Sequence, residues 1–268
     1  MALVMEPVMK VDQYFQGQPC WIELASLNIS ASKQFYSSLF GWEIIDMPIP
    51  QGIYSMIAID GDDIGAMYQL PEEMVANGDT TQWTVYFAVE NLDSSLVDVI
   101  GAGGTLVIGP HDVGEAGRMA IVQDPEGARF ALWQAKNHLG AQRAAEAHTL
   151  CWVELACREP QEAKRFYPHI FGWGTRDSHI EGMDYTEWQV GAQDIGGMMA
   201  MTEEWGDLPA HWMLYFTVES CDDKAAQVEQ LGGKVCVPPT DIPNVGRFAV
   251  INDPDGGFFS IIELRMVS

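Results

Sequence analysis

Apolar and polar positions alternate along this chain in short runs, each followed by turn residues. In residues 19–25, Ile22 and Leu24 fall on one side and Trp21 and Glu23 on the other, the period-two pattern of a strand. A helical pattern follows, with Phe35 and Leu39 four apart and Tyr36 and Phe40 beside them. Asn28 or Ser30 can cap its start, and Gly41 suits the left-handed residue just past its end. Strand patterns at 54–59 and 64–70 complete a first half. The second half has the same grammar: a strand at 82–89, a helix at 93–101 closed by Gly103-Gly104, then a further strand. A hairpin ends it, in which 118–123 returns through Asp124-Pro125-Glu126-Gly127 to 129–134. Asp, Pro and Gly at those places are turn chemistry.

The whole pattern then recurs. Cys20-Trp21-Ile22-Glu23-Leu24-Ala25 returns as Cys151-Trp152-Val153-Glu154-Leu155-Ala156, at an offset of 131 residues. Tyr54 and Tyr185 keep that offset, and Trp83 with Trp212 and Asp124 with Asp253 keep one of 129. So long a period is a duplicated domain, since solenoid repeats run roughly 20–50 residues. The reading is a first domain at 15–136, a linker at 137–147 and a second domain at 148–266. The alanine-rich linker has the composition for some helix. In the second copy Pro160 fits a first helical turn, while Pro168 is expected to end or kink that helix early.

Composition narrows the function. With 47% apolar residues each copy can bury a core, and no run approaches the roughly 20 apolar residues of a membrane span. The first residues carry Glu6, Lys10 and Asp12 rather than a basic-then-apolar leader, so a cytoplasmic location is expected. The net charge of −24 repels nucleic acid and anionic membrane and would attract cationic small molecules. Five cysteines without a CxxC pair read as free thiols.

The runs Phe35-Tyr36-Ser37-Ser38-Leu39-Phe40-Gly41-Trp42, Gly103-Gly104 and Asp124-Pro125-Glu126-Gly127, with their second-copy counterparts, resemble the vicinal oxygen chelate superfamily of glyoxalases, extradiol dioxygenases and antibiotic-resistance proteins. The likeness is greatest to tandem two-domain glyoxalase-like proteins and covers nearly all of 19–263. It implies an α+β fold: four βαβββ units forming curled mixed sheets with helices outside. It also implies metal ligands on the concave faces, at places held here by Trp21, Thr84 and Ala131 and by Trp152, Met213 and Ser260. The fourth strands, 64–70 and 195–201, contain neither Glu nor His. Trp, Thr, Met and Ala do not supply the three or more N/O donors that a divalent cation needs. No cofactor is therefore predicted, and a divalent metal remains the less favoured alternative. A displaced site would use His211 with Glu154 or Glu187. The other histidines, His111, His138, His148, His169 and His179, do not repeat and read as surface.

Strand alternation places the acidic Glu23 and Glu154 on the concave faces, where a carboxylate is costly unless paired, hydrated or used. Trp21, Trp152, Tyr86 and Tyr215 share those faces, and Tyr54 and Tyr185 form the walls. Trp133 is expected inward in the first copy only. Glu187 and Gln189 stand where the first copy has Met56 and Ala58, so the second copy is the more polar. The leading expectation is a small-molecule-binding protein with an aromatic-lined cavity, a monomer or homodimer, and Glu23 or Glu154 as general base if it catalyses. The alternatives are a metal-dependent lyase or dioxygenase with relocated ligands, and sequestration of a cationic toxin.

Overall fold

The computed structural model describes residues 10–50, 52–180 and 182–265. The first copy runs β1 (Pro19–Ser26), α1 (Ile29–Phe40), β2 (Glu43–Ile49), β3 (Gly52–Ile59), β4 (Asp62–Gln69), a short α2 (Glu72–Ala76), β5 (Gln82–Ala88), α3 (Leu92–Gly101), β6 (Thr105–Val113), β7 (Gly117–Gln123) and β8 (Arg129–Ala135). The second runs β9 (Leu150–Cys157), α4 (Pro160–Phe171), β10 (Gly174–Ile180), β11 (Met183–Val190), β12 (Gln193–Ala200), a 3-10 turn (Glu203–Trp205), β13 (His211–Thr217), α5 (Cys221–Gln230), β14 (Lys234–Ile242), β15 (Gly246–Asn252) and β16 (Phe258–Leu264).

Each copy forms one eight-stranded mixed sheet, in the orders β2-β3-β4-β1-β5-β8-β7-β6 and β10-β11-β12-β9-β13-β16-β15-β14. The two βαβββ halves of one copy join antiparallel through β1 and β5, or β9 and β13. Sequence alone left that pairing open. As the alternation requires, Ile22, Leu24, Val153 and Leu155 face the helices and are fully buried.

The convex faces of the two sheets meet, and α1 and α4 lie in the seam. Phe40 packs on Phe216 with ring centroids 5.4 Å apart, and Phe87 on Trp173 at 5.3 Å. One continuous core therefore spans both copies. Each Asp-Pro-x-Gly turn also reaches the other copy. Tyr36 donates to Asp253 at 2.8 Å while accepting from Trp83 Nε1 at 2.9 Å, and Tyr167 donates to Asp124 at 2.9 Å while accepting from Trp212 Nε1 at 3.1 Å. The Glu126 carboxylate accepts the backbone N–H groups of Arg158 and Glu159, both at 2.8 Å, at the start of α4. Asp255 does the same for Asn28 at the start of α1. Gly104 and Gly233 are needed for close approach: a Cβ there would lie about 3 Å from the Phe166 or Phe35 ring of the other copy.

Two expectations fail for tertiary reasons. Helix α4 continues past Pro168 to Phe171 rather than ending there. The proline forfeits one backbone bond near the helix end, and burial of Phe166, Tyr167, Ile170 and Phe171 outweighs that loss. The linker is not helical: its amides bond outward, Ala141 N–H to Cys20 O at 2.7 Å and Gln142 N–H to Asp63 O at 2.7 Å. These contacts draw it across the first copy's sheet.

Candidate functional site

The concave face of each sheet carries the same four-residue network. In the second copy Glu154 lies mid-strand in β9. Tyr185 from β11 donates to one carboxylate oxygen at 2.7 Å, and Tyr215 from β13 donates to the other at 2.8 Å. Trp152 Nε1 donates to the Tyr185 hydroxyl at 2.9 Å. The first copy repeats this with Glu23, Tyr54 at 2.6 Å, Tyr86 at 2.6 Å, and Trp21 to Tyr54 at 3.3 Å.

Register explains the assembly. Trp152 pairs with Tyr215 across β9 and β13, and Glu154 stands beside Met213. Tyr185 starts two strands away and must cross β12 to reach Glu154. It crosses over Gly197, where a Cβ would collide with its hydroxyl. Ala66 occupies that place in the first copy, and there the Trp–Tyr bond is the longer one.

Burial pushes the Glu23 and Glu154 carboxyls above the usual carboxylate range, and the tyrosine donors partly offset the effect. Burial, then the neighbouring carboxylate, raises all four tyrosines well above normal, so they stay protonated donors. Glu154 is thereby an acceptor whose two oxygens are both held. The Tyr215 hydroxyl retains lone pairs for an incoming donor.

The copies differ in access and polarity. In the first copy Trp21 is 5% exposed and packs in an apolar cluster with Tyr86, Ile121, Ala131, Trp133 and Ala141. The linker brings His138 edge-on to Trp21, centroids 4.6 Å apart, so His138 is a covering residue and not the surface one expected. Burial lowers its pKa. In the second copy Trp152 is partly exposed; Glu154 and its counterpart Glu23 are partly exposed alike. Glu187 is 93% buried by area and lies 3.4 Å from Arg176 Nε, in an ion pair whose angles fall short of a hydrogen bond. Arg176 pairs with Asp194 at 2.8 Å, and Gln189 donates to Asp194 at 2.8 Å. Arg176 and Asp194 escaped the sequence reading, although the exchange of Ile45 for Arg176 between copies was a visible signal.

Two open recesses lie outside both concavities, on the seam side of the sheets. One, of about 490 Å³, is lined by Glu126, Arg158 and 206–210; the other, of about 290 Å³, by Ala102, Pro125 and residues of α4. Both are built from helix-capping and seam residues, so the buried carboxylate networks are the better guide to chemistry.

A divalent cation does not fit the residues at the expected ligand places. Trp21, Thr84 and Ala131, like Trp152, Met213 and Ser260, offer at most a hydroxyl donor. Among the described residues no group of three or more His, Cys, Asp or Glu could hold a metal. His211 opens β13 and bonds Pro209 O through Nδ1 at 2.9 Å, with its pKa lowered by burial. Among the described residues no helix is long and apolar enough to cross a membrane.

The profile described as Glyoxalase/Bleomycin resistance protein/Dioxygenase superfamily matches residues 20–132 and 148–261. "Putative glyoxylase CFP32" of Mycobacterium bovis is 38% identical over 257 residues, covering 95% of this chain and 97% of its own. "Anthracycline biosynthesis protein DnrV" of Streptomyces peucetius is 34% identical over 264 residues, covering 94% and 95%. Among solved structures, the Mn(II)-bound glyoxalase from Novosphingobium aromaticivorans superposes with a TM-score of 0.65 at 15% identity, covering 95% of this chain and 84% of that one. The 2,3-dioxygenase LapB from Pseudomonas sp. KL28 gives 0.65 at 15% identity, covering 93% of each. These two similarities concern the fold alone.

Proposed function

Because the chain belongs to the Glyoxalase/Bleomycin resistance protein/Dioxygenase superfamily, we propose that it binds a small aromatic molecule without a metal in the second copy's concavity, against Trp152, Tyr185, Tyr215 and Glu154. The supporting observation is the duplicated Glu–Tyr–Tyr–Trp network, a carboxylate with both oxygens held by tyrosine hydroxyls on the concave face, beside the places where the family resemblance implies metal ligands. In the first copy linker residues cover Trp21, while Glu23 and Tyr54 stay partly exposed. The second copy leaves its indole, Trp152, accessible as well. An aromatic ligand is also in keeping with the Streptomyces relative's name, which refers to anthracycline biosynthesis.

If the site catalyses, Glu154 is the group to move a proton, since burial raises its affinity for one. The tyrosine hydroxyls orient it, and Trp152 fixes Tyr185. The test is titration of the purified protein with an aromatic fragment library while following the Trp152 indole N–H by NMR, assigned through Trp152→Phe. Saturable shifts that weaken in Glu154→Gln are expected. No saturable shift at Trp152, or stoichiometric metal retained through purification, would reject the reading.

A further inference from the structure

The duplication supplies an internal control for the second copy's extra charges. Along one cross-sheet row the second copy places Arg176, Glu187, Gly197 and Glu154 on β10, β11, β12 and β9. The same row in the first copy reads Ile45, Met56, Ala66 and Glu23. Both sheets fold identically in strand order, so the fold does not need Arg176 or Glu187. A carboxylate inserted into such a row costs free energy unless its oxygens are satisfied. Glu187 is 7% exposed, and its Oε2 has no hydrogen-bond partner. The nearby guanidinium is 3.4 Å away and badly angled, while its better bond goes to Asp194 at 2.8 Å. Arg176 is half-exposed on the edge strand, 47% by side-chain area, so Glu187 lies one side chain in from solvent.

The charge around that oxygen decides the class of donor. The two carboxylates Glu187 and Asp194 stand beside the Arg176 guanidinium, and the whole chain carries −24. A protonated amine satisfies both the missing hydrogen bond and the excess negative charge. A hydroxyl satisfies only the first, and a carboxylate is repelled. We propose that Glu187 is a specificity-determining residue that selects ligands carrying an ammonium group, the aromatic body of the ligand lying toward Trp152 and Tyr215. This rests on the binding reading above and names the ligand's chemical class.

Three probes that share a phenylethyl body test it: 2-phenylethylamine, 2-phenylethanol and 3-phenylpropionate, each titrated against the full chain with the Trp152 indole N–H as reporter. The variants are Glu187→Met and the charge-neutral double Arg176→Ile/Glu187→Met, which restores the pair the first copy already folds with. The amine is expected to bind at least ten-fold more tightly than the alcohol in the parent protein. That preference should fall to within about two-fold in both variants, with alcohol binding unchanged. Equal binding of amine and alcohol, or a preference that survives in the double variant, overturns the proposal and leaves the binding reading standing. Absence of any saturable shift with all three probes overturns both. Loss of alcohol binding in the double variant also overturns it, because Glu187 would then be shaping the pocket rather than reading charge.

Discussion

Replacing Tyr167 with Phe removes one oxygen atom from the seam and leaves the ring packing intact. That ring stacks on Trp173 and Phe171, so van der Waals contact changes little. The hydroxyl makes two bonds in a fully buried place: a donor to Asp124 at 2.9 Å and an acceptor from Trp212 Nε1 at 3.1 Å. Asp124 keeps the N–H groups of Glu126 at 2.9 Å and Ala128 at 2.8 Å, so it is weakened rather than orphaned. The indole N–H has no second partner among these bonds. A lost hydrogen bond to a charged group costs about 1.5–3 kcal/mol, and an unsatisfied buried donor about 1–3. Some relaxation brings the sum to about 2–4 kcal/mol. With a urea slope of about 3 kcal/mol per M, the unfolding midpoint falls by about 1 M. Circular dichroism and tryptophan fluorescence should report one coincident transition, because the core is shared between copies. Tyr36→Phe is the mirror experiment and should cost the same. Coupling beyond simple addition in the double variant would measure how far the two seams support each other. A loss under about 0.5 kcal/mol in both single variants would refute the argument that these motifs join the copies.

Three further outcomes follow from the same geometry. The raised carboxyl of Glu154 binds its proton more tightly in the folded state than in the unfolded one, so it destabilises the fold above its folded pKa and ceases to do so as pH falls toward its ordinary value. Glu154→Gln should therefore gain stability relative to the parent as pH rises from about 4.5, read by urea denaturation across pH; a relative gain that shrinks with rising pH would contradict the sign. Gly197→Ala displaces the Tyr185 hydroxyl, which is the free end of a side chain, and the first copy already tolerates Ala66 there. It should cost about 1 kcal/mol or less yet shift the Trp152 indole N–H resonance upfield, and an unmoved resonance would show that Tyr185 does not depend on the glycine. Asp255→Ala removes the acceptor of the Asn28 N–H and of the Ser26 and Thr81 hydroxyls, each within 2.8 Å. By the usual cost of leaving part-buried donors unsatisfied it should cost about 1–3 kcal/mol in thermal denaturation, and an unchanged melting temperature would deny that Asp255 ties the turn to the start of α1.

What the sequence made legible, and what it hid, divides along one physical line. Strand alternation is local, and it was enough to place Trp21 with Glu23, and Trp152 with Glu154, on the same concave face as the tyrosines that bind them. The duplication likewise exposed Glu187 by contrast with Met56. Hidden were the pairings that no local period encodes. Tyr36 and Asp253 are 217 residues apart, and Tyr167 and Asp124 are 43 apart across the boundary between copies. The Phe-Tyr and Asp-Pro-x-Gly runs read as helix face and turn, which they are; their most buried atoms nevertheless serve the other copy. That explains why both copies retain them so fully. A motif shared by two copies that face each other is held by the mutual contact, whether or not either concavity is used. The concave network needs a different reason, since it touches neither seam nor helix, and Glu23 keeps it even where Trp21 is covered. Removing that cover should then decide between inheritance and use. Replacing His138 with Ala uncovers Trp21 without touching Glu23, Tyr54 or Tyr86. An aromatic probe that now shifts the Trp21 indole resonance saturably would show that the first copy retains a competent site, and continued silence there would mark its network as structural.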